Sequence, residues 1–225
     1  MKYLFANWKA HKNLKEAERW VKEFNALLTK DKKIKGRLEN NDLKIIICPS
    51  HQLLYPVKQW LIKMPNLSLG AQDISYFDKG SYTGEVPAQN LAGLVQYAII
   101  GHSERRKYFK ENNAIIDQKL ILAKDYDIEP ILCVRNGQDI IPEKVNFIAY
   151  EPVQSIGTGE NESLKEILKV KEALHLDKNT MFLYGGSASG DNATGYLQSG
   201  QINGFLIGTA SRKAADFYNA IAASL

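Results

Sequence analysis

Glu151 and His102 are the side chains of this sequence best suited to move a proton. Glu151 closes the apolar run NFIAY (146–150), and Pro152 fixes the backbone directly after it. A carboxylate so held is either a positioned general base or a strand-end glutamate satisfied by an ion pair. His102 ends the apolar run YAIIG (97–101) and opens SERRKYF, with Ser103 as the expected N-cap and Glu104 in the first helical turn. The positive end of a helix disfavours protonation of an imidazole beside it, which leaves a neutral ring able to donate to a carbonyl oxygen. The plainer alternative is a hydrogen-bonded core histidine. Asn7 and Lys9 sit two apart on the first apolar run, so both are expected on one side of a strand with Trp8 opposed. If that side is an interior, Lys9 must meet an anion; otherwise it is a strand-end lysine reaching water. His11, His51 and His175 have no comparable context and read as structural or surface residues.

Three glycine-containing turns can present backbone N–H groups to a phosphate: Ile156-Gly157, Gly185-Gly186-Ser187 and Gly208-Thr209. Each is weak evidence alone; together they point to a small phosphorylated substrate. The segment VQSIGTG that follows Pro152 is either a mobile lid or an ordinary loop before a helix starting near residue 161.

These residues need a scaffold, and the apolar pattern supplies one. Short runs without polar alternation recur at 3–8, 44–48, 67–71, 97–101, 129–134, 146–150, 181–185 and 204–208. Runs of this kind fit strands buried on both faces, hence a parallel sheet. Amphipathic stretches at 14–28, 112–126 and 162–174 alternate with them, the first carrying a stripe of Leu14, Ala17, Val21, Phe24, Leu27 and Leu28. Eight strands alternating with helices predict an α/β fold, a closed (β/α)8 barrel, over an open doubly wound sheet. The chemistry-bearing residues stand where the runs stop, on the face where barrel enzymes keep their active sites. Residues 7–13 lack the glycine-rich turn that a dinucleotide-binding sheet would need there. With no linker or repeat, residues 1–225 read as a single domain.

One crossover is too short. Only eleven residues, RNGQDIIPEKV, separate Val134 from Asn146, whereas a parallel crossover usually needs a dozen or more. The helix after the fifth strand is therefore expected to be absent or shortened to one or two turns around 140–144. Ile140, Ile141 and Val145 are expected to fold back over the bared strands.

Composition narrows the class. At 44% hydrophobic and 24% charged residues the chain can bury a sizeable core. The net charge of +4 comes from basic residues scattered among acidic ones, so no nucleic-acid surface is expected. No secretory signal or membrane-length apolar run is apparent, and Cys48 and Cys133 read as buried strand thiols. A cytoplasmic protein with no membrane partner is expected.

The motifs resemble those of triosephosphate isomerases from end to end. They are N-W-K (7–9), G-A-Q (70–72), Y-T-G-E (82–85), G-H-S-E-R-R (101–106), Y-E-P-V with I-G-T-G (150–159), Y-G-G-S (184–187) and G-F-L-I-G with A-S (204–211). The resemblance implies a TIM barrel that interconverts dihydroxyacetone phosphate and glyceraldehyde 3-phosphate without metal or other cofactor. It implies Glu151 as base, His102 as electrophile and Lys9 as electrostatic stabiliser, with Asn7 orienting the substrate and Ser103 and Glu104 supporting them. Gly157, Ser187, Gly208 and Thr209 would bind the phosphate. Pro152, Val153, Gln154, Ser155, Ile156, Gly157, Thr158 and Gly159 would form the lid. It implies a homodimer through the loop 73–85, with Ile74, Tyr76, Phe77 and Tyr82 as apolar anchors and Thr83 reaching the partner's site.

The departures are Gln154 and Ser155 for an aromatic and an alanine in the lid, and Thr209 for a second glycine in the phosphate turn. Asn203 stands for an ion-paired aspartate, and Met181 for its arginine. Another sugar-phosphate barrel enzyme would not need His102 and Glu151 in these contexts. A catalytically dead barrel would be expected to lose at least one of Lys9, His102 and Glu151.

Overall fold

Each apolar run becomes one strand of a closed parallel barrel, arranged around the ring in chain order. The strands are β1 (Lys2–Asn7), β2 (Leu43–Cys48), β3 (Leu67–Ala71), β4 (Tyr97–Ile100), β5 (Glu129–Val134), β6 (Phe147–Tyr150), β7 (Met181–Tyr184) and β8 (Gly204–Ile207). The computed structural model describes all residues except 63, 65, 153–161 and 187–189, and of 190–192 the backbone alone. The helices are α1 (Leu14–Lys30), α2 (Lys32–Glu39), α3 (His51–Leu61), α4 (Ala88–Leu91), α5 (Ser103–Tyr108), α6 (Asn113–Asp125), α7 (Leu164–Ala173), α8 (Gly190–Gln198) and α9 (Ala214–Ala223). A 3-10 turn, Thr209–Arg212, precedes α9.

The barrel has two apolar layers, which is why its strands show no polar alternation. Phe5, Ile46, Ile99, Ile131, Phe147 and Leu206 point inward and fill the barrel. Their alternates, among them Leu4, Ile45, Ile47, Leu132 and Ile148, point outward into the layer shared with the helices. Inside, Phe5 meets Tyr97 and Tyr3 meets Phe147 edge-on, at centroid separations of 5.5 and 4.9 Å.

α1 starts at a capping box between Asn13 and Glu16 and buries Ala17, Trp20, Val21, Phe24 and Leu28. Trp20 joins that stripe, whereas Leu14, the first helical residue, is exposed.

No helix forms between β5 and β6, yet the two strands pair in register from Ile131↔Phe147 to Val134↔Tyr150. The connection instead lies directly on α7, so that a Cβ at Gly137 would sit 2.6 Å from the Ala173 methyl. Leu132 and Ile148 stay covered, and Val145 and Ile141 pack on the core as expected. Ile140 does not fold back: it is 78% exposed. With α7 against the loop, little bare strand surface remains for it to cover.

Candidate active site

All eight strands run parallel, so their C-terminal ends open on one face, and β1, β4 and β6 deliver the candidate groups there. On β6 the inward residues are Phe147 and Ala149, and alternation carries Glu151 inward as the next in that row. Its N–H donates to the Val134 carbonyl at 2.8 Å, and the Gly185 N–H donates to the Tyr150 carbonyl at 2.7 Å, so pairing continues past the strand end. A Cβ at Gly185 would lie 3.0 Å from Glu151 Cγ, which places the loop after β7 against the carboxylate stem.

Glu151 Oε1 lies 2.8 Å from His102 Nε2, and Oε2 accepts the Ser103 N–H at 2.8 Å. Complete burial works to raise the Glu151 pKa. The His102 ring, the Ser103 N–H and the Lys9 charge outweigh burial and hold it below the ordinary 4.5. The Cys133 thiol of β5 lies beside this carboxylate, and burial together with that charge pushes its pKa well up.

His102 reaches the site because Gly101 turns the chain with φ +70°, a conformation that favours glycine, just after β4 ends. The expected cap is corrected: His102, not Ser103, is the N-cap of α5, and its Nδ1 accepts the Glu104 N–H at 3.1 Å. An Nδ1 that accepts carries no proton, so the ring hydrogen sits on Nε2 and points at Glu151. Ser103 is instead the first helical residue, and its buried Oγ has no partner among the described residues.

Lys9 also departs from expectation. β1 ends at Asn7, and Lys9 lies beyond it in the left-handed region at φ 51°. The Asn7 Oδ1 accepts the Lys9 N–H at 3.1 Å and ends the strand by a local side-chain turn. Gln72 Nε2 holds the Lys9 carbonyl at 2.9 Å and the Cys48 carbonyl at 2.8 Å. The Lys9 ammonium is nonetheless at the mouth, 2.6 Å from Glu104 Oε1. Lys9 Cε lies 3.1 Å from where a Gly208 Cβ would be, so the lysine borders the turn after β8. Ser211 Oγ lies 2.7 Å from the Gly208 carbonyl and 3.0 Å from that of Asn7, joining the two loops. Thr209 is exposed at the start of the 3-10 turn.

Asn7, Lys9, His102, Ser103, Glu104, Glu151 and Gly208 are thus brought together. Pro152 is buried beside them, whereas Val153 to Gly159 and Ser187 lie outside the described residues. Sequence reasoning missed the supporting roles of Gln72, Cys133 and Ser211. Gln72 at a strand end and Ser211 inside a recognised motif carried a signal; the buried thiol carried none.

Four charges, three of them buried, form a network between α5 and α6. Lys119 Nζ lies 2.7 Å from Asp73 and 2.6 Å from Glu111, and Arg105 Nε lies 2.9 Å from Asp73 and 2.5 Å from Glu111. Burial pushes Asp73 up to about 6 against the pull of both cations. The network ties the root of the loop 73–85 to the helix that carries His102.

A family model described as Triosephosphate isomerase matches residues 2–224. The chain belongs to the triosephosphate isomerase family. The triosephosphate isomerase of Dictyoglomus turgidum is 34% identical over 254 aligned positions, which cover 98% of each chain. That of Mycoplasma genitalium is 35% identical over 245, covering 96% of each.

Within this triosephosphate isomerase fold the Asn203 departure has a local account. Asn203 Oδ1 accepts the Phe182 N–H, and the Asn203 N–H donates to the Phe182 carbonyl, both at 2.8 Å. A neutral side chain therefore bridges β7 and β8, while Met181 packs on the barrel interior.

Proposed function

We propose that Glu151, His102 and Lys9 interconvert dihydroxyacetone phosphate and D-glyceraldehyde 3-phosphate, an aldose–ketose isomerisation of glycolysis and gluconeogenesis. The contact between His102 Nε2 and Glu151 Oε1 at 2.8 Å carries this reading, because it sets a base and a hydrogen-bond donor face to face at the space a substrate would take. A substrate entering that space separates the two groups. Glu151 takes the proton from C1 of the ketose, and the electron pair moves through C1–C2 to the carbonyl oxygen. The Nε2–H of His102 stabilises that oxygen and transfers a proton between the two substrate oxygens. Glu151 then returns its proton to C2. Lys9, held by Glu104, faces the charge of the enediolate. The N–H groups of Gly208 and, by family resemblance, Gly157 and Ser187 would hold the phosphate, with Thr209 at the rim.

The residues 152–159 would act as the lid, and residues 1–225 as one catalytic domain. The protein is proposed to work in the cytoplasm as a homodimer whose loop 73–85 brings Thr83 to Asn7 and Lys9 of the partner subunit. No helix among the described residues is long and apolar enough to cross a membrane.

A coupled assay with glyceraldehyde 3-phosphate tests the reading. Glu151→Gln should lower kcat by at least ~10²-fold, the lower range for a positioned base, with the far-ultraviolet circular dichroism unchanged. Full activity of that variant would overturn the assignment.

A further inference from the structure

Glu162 stands just before α7, eleven residues after Glu151, and two tyrosines converge on it. The Tyr150 hydroxyl donates to its carboxylate, 3.1 Å from one oxygen and 3.0 Å from the other. The Tyr196 hydroxyl of α8 donates to its backbone carbonyl at 2.6 Å. Both tyrosines are buried, and Tyr184 of β7 lies between them at ring separations of 6.3 and 5.3 Å. Directly after Glu162 the chain enters α7 through a capping box of Ser163 and Glu166. Glu162 is therefore fixed from three sides: the end of β6, α8 and the start of α7.

Tyr150 is the residue before Glu151, and its ring lies in the outer layer while Glu151 points into the barrel. The peptide joining them, held by the Val134 carbonyl and the Gly185 N–H, is the fixed pivot from which the Glu151 side chain swings when substrate separates its carboxylate from His102 and Ser103. We infer that Glu162 is a positioning residue for the isomerisation, clamping the Tyr150 side of that pivot so that the carboxylate returns to one place. The inference rests on the assignment of Glu151 as base. Misplacing a reacting group by about 1 Å can cost on the order of 10²-fold in rate, and this clamp acts one residue away from it. Burial first, and then the Glu162 contact, push the Tyr150 phenol above its ordinary range, so it stays a donor wherever the enzyme works.

The test is a double-mutant cycle on the full-length enzyme. Tyr150→Phe and Glu162→Ala should each lower kcat on the order of tenfold, the loss of one charge-assisted hydrogen bond, with KM moving less than kcat. The double variant should be no slower than the slower single variant. Glu162→Gln keeps an acceptor oxygen and should restore most of kcat. Additive losses, no rescue by Glu162→Gln, or a lowered Tm with unchanged kcat per folded molecule would each overturn the inference. Glu151→Gln separates the two claims. If it is inactive while Tyr150→Phe and Glu162→Ala keep normal kcat, only the clamp fails. If it is fully active, the assignment of the base itself fails.

Discussion

Glu151 is 2% exposed and still ionised, because three neighbours offset the cost of burying its charge. Its folded-state pKa lies below the unfolded one, so the fold favours the charged form. That contribution to stability is present above about pH 4.5 and is lost as pH falls through the lowered value. Difference infrared spectra of the wild type against Glu151→Gln should accordingly show a carboxylate band at pH 5. A protonated carboxyl stretch there would contradict it. That Lys9, His102 and Glu151 would be brought to one face was legible in the sequence because each stands where an apolar run stops. Their local geometry was less so. Period-2 alternation kept Lys9 on the strand, whereas the Asn7 side chain ends it two residues earlier. Propensity favoured Ser103 as cap, whereas the imidazole Nδ1 of His102 supplies the acceptor itself. Both errors arise where a side chain bonds its own backbone, which residue type alone does not reveal.

At the scale of elements, all eight strands were legible because strands buried on both faces leave continuous apolar runs. The missing helix was legible from chain length alone. The fate of Ile140 was not, since it depends on how closely α7 approaches the β5–β6 connection, a long-range matter of packing. Gly137 is the point of that approach, with a Cβ position 2.6 Å from the Ala173 methyl. Gly137→Ala should therefore destabilise the protein by about 1–3 kcal/mol, the usual cost of overpacking. Adding Ala173→Gly removes the clash and should recover part of that loss, even though glycine itself weakens the end of α7. Chemical denaturation of the single and double variants measures both effects. A Gly137→Ala protein as stable as wild type would show that the loop can draw back from α7.

Across the whole molecule, the loop 73–85 carries an exposed aromatic cluster on an anchored root. Ile74 was expected among its outward anchors, but it is buried in its own subunit at 1% exposure and roots the loop instead. Beneath it lies the network of Asp73, Lys119, Glu111 and Arg105. Ser75 Oγ donates to Glu85 at 2.6 Å across the loop, and Tyr126 Oη of the chain donates to Asp78 at 2.8 Å. Above this base, Phe77 stacks on Tyr82 and meets Tyr76 at a 36° tilt, each at 4.0 Å between ring centroids. Tyr76 and Tyr82 remain 38% and 43% exposed. Single exposed aromatics are ordinary, but a preorganised cluster of three is the kind of anchor that fills a pocket at an interface centre. Preorganisation matters because a loop already ordered loses less entropy on association. The double variant Tyr76→Glu/Tyr82→Glu places two charges on that anchor, and desolvating them at a contact is costly. Sedimentation equilibrium at micromolar concentration should give a dimer for the wild type and a monomer for this variant. In the proposed dimer Thr83 reaches the site of the partner subunit, so the monomer should also lose activity. A wild-type protein that sediments as a monomer while fully active would remove the dimer from the proposal.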